Sequence, residues 1–71
     1  MEFSGIVKPR RRGGWIARGV IVEQRFGQVV ETQIGPKEFA DQPASIAWLS
    51  DAAARLGIGQ PTIATMAVSG R

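Results

Sequence analysis

The segment from Asp41 to Ile58 constrains the fold most, because it carries the start, the apolar stripe and the stop of a single helix. Asp41 is placed to accept hydrogen bonds from the first free backbone N–H groups. Pro43 falls in the first turn, where a missing N–H costs little. Ile46, Leu49, Ala53 and Leu56 recur at helical spacing and predict one buried face over residues 42–56. Gly57 fits a left-handed cap, and Ile58 supplies the apolar contact that follows such a cap.

The residues before the helix read as strands. Phe3 to Lys8 alternates, with Phe3, Gly5 and Val7 on one side and Ser4, Ile6 and Lys8 on the other. Pro9 ends pairing or confines it to an edge, and Gly13-Gly14 lets the chain reverse after a hairpin loop over residues 9–13. Trp15 to Gln24 is the second strand, Arg25-Phe26-Gly27 a short turn, and Gln28 to Ile34 the third strand. Gly35-Pro36 breaks the pattern, which makes residues 35–41 a connection. Phe3, Phe26 and Phe39 are assigned to the core or its edge; Trp48 is either an exposed anchor for a protein partner or, as favoured, a residue packed at the rim of the core or against Phe39. The expected fold class is α+β: a three-stranded antiparallel meander packed on one helix.

The stretch Thr62 to Val68 is β-prone and uncharged. It reads as a fourth strand, a strand given to another subunit, or a free tail. The expected organisation is one βββα domain over residues 1–58, with 59–71 as a C-terminal strand or flexible tail.

Strict alternation in the second strand puts Trp15, Ala17, Gly19 and Ile21 on one face and Ile16, Arg18, Val20, Val22 and Gln24 on the other. Ala17 and Gly19 are small enough to let a helix lie close, so the first set goes beneath it. The second set is then too apolar for a freely solvated surface. Either Gly19 is a bulge that reverses the phase, or the second face is covered by the C-terminal segment or another subunit. The covered face is favoured, with a homodimer as one way to provide it.

Cysteine, histidine, tyrosine and asparagine are all absent. Without imidazole or thiolate the usual zinc sites, acid–base groups and thiol nucleophiles are missing, and the carboxylates show no metal-loop spacing. The expectation is a protein that is not an enzyme and takes no metal and no cofactor. No apolar run is long enough to span a bilayer, and Met1-Glu2-Phe3-Ser4 lacks the character of a signal peptide. A cytoplasmic protein without a membrane partner is therefore expected.

Charge is concentrated at one end of the sequence. Residues 1–25 hold six basic and two acidic groups, a balance of +4, whereas residues 26–71 hold three and four, a balance of −1. Lys8, Arg10, Arg11 and Arg12 stand within five positions of the first hairpin, next to Trp15. Clustered guanidinium groups suit phosphates or an acidic protein surface. The arginines of the loop are expected to contact phosphates, Lys8 and Arg18 to support them, and Trp15 to stack on a base or brace the loop.

Over roughly residues 3–57, the element order and the basic first hairpin resemble the sheet-based DNA readers, among them the arm-binding domains of tyrosine recombinases and plant ethylene-response DNA-binding domains. No family motif matches residue by residue, so the resemblance implies a fold and a class of ligand and assigns no positions. The leading expectation is a nucleic-acid-binding module of bacterial or phage type. The alternatives are a protein-interaction module, such as an accessory or inhibitor-type protein facing an acidic partner, and a homodimeric assembly protein with an exchanged C-terminal strand.

Overall fold

The computed structural model describes residues 1–66. The elements follow as β1 (Glu2–Pro9), β2 (Trp15–Arg25), β3 (Gln28–Phe39), α1 (Gln42–Arg55) and β4 (Thr62–Thr65). They build one four-stranded sheet in the order β3-β2-β1-β4, with α1 on one face. The first three strands form the antiparallel meander, and β4 joins β1 in parallel, from Ser4 opposite Thr62 to Val7 opposite Thr65. The α+β expectation holds, and Thr62–Thr65 takes the role of a fourth strand within the chain's own sheet. Ala67 and Val68, the rest of the β-prone stretch, lie outside the described residues.

Alternation decides which face the helix covers. Phe3, Gly5 and Val7 of β1 and Ala17 and Gly19 of β2 are buried against α1, while Trp15, Ile21, Ile34, Phe39 and Ile63 pack around them. Leu49, Ala53 and Ser45 are the helix residues fully removed from solvent. Ser45 tolerates this because its hydroxyl donates to the Gln42 carbonyl at 2.6 Å. Phe39 and Trp48 meet at 5.7 Å between ring centroids, one of the placements weighed for Trp48 from the sequence.

Both helix ends follow their signals. The Asp41 carboxylate accepts from the Ala44 N–H at 2.9 Å. At the other end the Ile58 N–H donates to the Ala53 carbonyl and the Gly57 N–H to the Ala54 carbonyl, each at 3.0 Å, which closes a Schellman motif. Leu56 is the cap residue itself and is 40% exposed, so it leaves the predicted apolar stripe. The last turn has opened before its side chain can reach the sheet.

Three further expectations are corrected. First, β3 does not stop at Ile34. Its pairing with β2 shifts between Ala17 and Gly19, where β2 advances by two residues and β3 by three, and then resumes as far as Trp15 opposite Phe39. The extra residue is accommodated at Gly35 (φ 82) and a cis Gly35–Pro36 bond. The bulge thus sits on β3, and Gly19 keeps its phase. Second, Phe26 is fully exposed. It occupies the first corner of the β2–β3 turn with φ 52, followed by Gly27 at φ 78, the signs of a type I′ hairpin. Beyond Val22, the last β2 partner of β1, this hairpin runs on as two strands with no helix to meet. Third, β4 does not lie over the second sheet face, because it extends the sheet sideways along β1.

Candidate nucleic-acid interface

The basic hairpin loop spans residues 10–14 and is an ordered turn. The Gly13 N–H donates to the Arg10 carbonyl at 3.1 Å, and the Arg10 N–H donates to the Gly14 carbonyl at 2.9 Å. The first bond closes a four-residue turn with Arg11 and Arg12 at its two corners. Gly13 (φ 101) and Gly14 (φ 84) then carry the backbone through conformations that a side chain disfavours. A Cβ on Gly14 would also stand 2.9 Å from the Phe39 carbonyl oxygen. The glycine pair therefore sets the loop tightly against the end of β3.

The three arginines are not equivalent. Arg10 pairs with Glu38 at 2.7 Å, tying the base of the loop to β3. Both partners are substantially exposed, so the pair contributes little to stability and acts mainly to orient Arg10. Arg11 and Arg12 are exposed at the turn corners and have no ion-pair partner among the described residues.

The other residues singled out from the sequence divide between the two faces of the sheet. Lys8, opposite Ile16, and Arg18, opposite Ile6, stand on the open face just below the loop. With Ile6, Ile16 and Met66 they line a hollow of about 110 Å³. Trp15 points to the helix face, partly buried and packed against the core opposite Phe39. That position suits a brace under the loop. Arg25, in the far hairpin, pairs with Glu23 at 2.8 Å and belongs to neither group.

Lys37 is the contributor that the sequence did not disclose. Its ammonium lies 5.7 Å from the Phe39 ring centroid and 5.8 Å from that of Trp48. Only the continuation of β3 past Pro36 brings it there. The loop end of the molecule therefore gathers Lys8, Arg10, Arg11, Arg12, Arg18 and Lys37 against Glu38 and Asp41, six positive and two negative charges for a local balance of +4.

Among the described residues no cluster of three or more metal-ligating side chains forms, and no helix is long and apolar enough to cross a membrane. No family model, curated protein or solved structure matches the chain. The resemblance to sheet-based DNA readers accordingly rests on element order and on the basic hairpin.

Proposed function

We propose that this protein is a non-enzymatic nucleic-acid-binding module that engages the phosphate backbone through the turn Arg10–Gly13. The observation that supports the reading most is the pair Arg11 and Arg12. Two guanidinium groups occupy the corners of a hydrogen-bonded turn, exposed, with no ion-pair partner among the described residues. A turn closed by its own backbone loses less conformational freedom on binding than a loose loop, so more of the phosphate attraction appears as affinity. Arg10, held by Glu38, sets the direction of the turn, and Trp15 braces it from the helix side.

The ligand contact is electrostatic and reads backbone more than sequence. Duplex affinity should then fall with salt, with a logarithmic slope of about 0.9 per phosphate neutralised. Replacing both Arg11 and Arg12 with alanine lowers affinity for all duplexes alike and reduces that slope by roughly 2. Arg10→Ala has the smaller effect, because its guanidinium is already engaged. An R11A/R12A protein that binds with unchanged affinity and slope overturns the reading.

A further inference from the structure

The open face of the sheet carries a charge pattern that matches itself after a half turn. Along β1 the outward residues are Glu2, Ser4, Ile6 and Lys8, and along β2 they are Ile16, Arg18, Val20 and Val22. Glu31 of β3 lies opposite Val22, which in turn lies opposite Glu2. Lys8 and Arg18 thus mark one end of the face and Glu2 and Glu31 the other; Ile16 stands level with Lys8, Ile6 with Arg18 and Val22 with Glu2 and Glu31, and Val20 lies with Ser4 and Gln33 in the row between. All four charged residues are exposed, and none has an ion-pair partner among the described residues. Glu38, which stands on the same face opposite Ile16, is taken up by Arg10. Lys8 and Glu2 are six positions apart along β1, about 20 Å at strand rise.

We propose that this face binds a second copy of the chain, the two sheets packing face to face about a two-fold axis that crosses the strands at the level of Gly5 and Gly19, midway between Lys8 and Glu2. Such an axis lays the basic end of each copy over the acidic end of the other. Lys8 and Arg18 meet Glu2 and Glu31 twice, and the four aliphatic residues of each sheet close against those of its partner. Self-complementarity is what singles out a second copy over an unrelated partner. A patch with opposite signs at its two ends and aliphatic residues distributed along it is satisfied by its own image. A hollow at the basic end is lined by Lys8 and Arg18, and one at the acidic end by Met1, Glu2, Val22, Glu23, Gln24 and Val29. The arginine turns project from the two far ends of the pair and stay open, so phosphate binding by Arg11 and Arg12 does not depend on dimer formation.

The test uses two charge-reversed proteins, Lys8→Glu/Arg18→Glu and Glu2→Lys/Glu31→Lys. All four sites are exposed, and circular dichroism verifies that each variant folds. Sedimentation equilibrium of the natural chain should show a monomer–dimer equilibrium. Each variant alone should dimerise at least about tenfold more weakly, because like charges then face each other at both ends. Mixed together, the two should form a heterodimer, since an all-acidic face meets an all-basic one. A natural chain that stays monomeric at millimolar concentration overturns the proposal. So does a dimer whose affinity ignores both reversals, or a pair of variants that fails to associate on mixing.

Discussion

Gly5 and Gly19 stand opposite each other in the β1–β2 ladder, beneath the helix, and the space their side chains would fill is already occupied. A Cβ on Gly5 would lie 2.9 Å from Leu49 Cδ1, and one on Gly19 2.9 Å from Phe3 Cζ and 3.0 Å from Ile34 Cγ1. The pair is a trench in the sheet. Leu49 descends into it from the helix, and Phe3 and Ile34 close over it from the flanking strands. In a domain of 71 residues this contact fixes how closely helix and sheet approach. Gly5→Ala and Gly19→Ala should therefore each cost about 1–3 kcal/mol of stability by overpacking. Leu49→Ala should also destabilise, yet Gly5→Ala should cost less in that background because the clashing methyls are gone. Denaturant unfolding of the double-mutant cycle measures this coupling, and additive costs would contradict it.

Phe26 gives the opposite sign. Its ring is fully exposed and its backbone sits at φ 52, so the residue bears the cost of a left-handed conformation with no packing in return. Phe26→Asn should stabilise by about 1 kcal/mol. The melting temperature should then rise by about 4–8 °C, as expected for a domain of this size.

Gly35 holds the bulge that carries β3 past Pro36. It lies at φ 82, and a Cβ there would stand 2.8 Å from the Ala17 carbonyl oxygen, a backbone atom that cannot step aside. Gly35→Ala should cost more than about 1 kcal/mol and loosen the Phe39–Trp48 contact beyond the bulge. Tryptophan fluorescence of the folded variant, shifted towards the solvent-exposed value, checks the second part.

The cap at Asp41 is a local feature with a local effect. Its carboxylate accepts from the Ala44 N–H, so Asp41→Ala should lower stability by about 1 kcal/mol, and Asp41→Ser should restore most of it. Equal losses in the two variants would show that the hydrogen bond is not what the residue contributes.

The features legible in the sequence were those set by local chemistry. The helix and both its caps, the strand alternation around Ala17 and Gly19, and the glycine turn after the arginines all follow from residues within a few positions of one another. The misread features depend on distant partners. Gly35-Pro36 has the composition of a strand end, and only the ladder to Trp15 and Ala17 carries β3 through it. Phe26 has the composition of a core residue, but at the tip of a hairpin that outruns the helix no core is within reach. Leu56 keeps the helical period one residue after the helix has ended. The basic cluster itself was visible at once. Its division was not, because the Arg10–Glu38 pair joins residues 28 positions apart. Lys37 became part of the basic end only through the same continuation of β3.

The measurement that tests the nucleic-acid reading most directly is a fluorescence-anisotropy titration of labelled duplex DNA and of single-stranded RNA, at low and at physiological salt. Binding should be clear at low salt and weaken steeply as salt rises, in proportion to the phosphates that Arg11 and Arg12 neutralise. Absence of binding to either nucleic acid at low salt would contradict the account and turn the arginine turn towards an acidic protein surface.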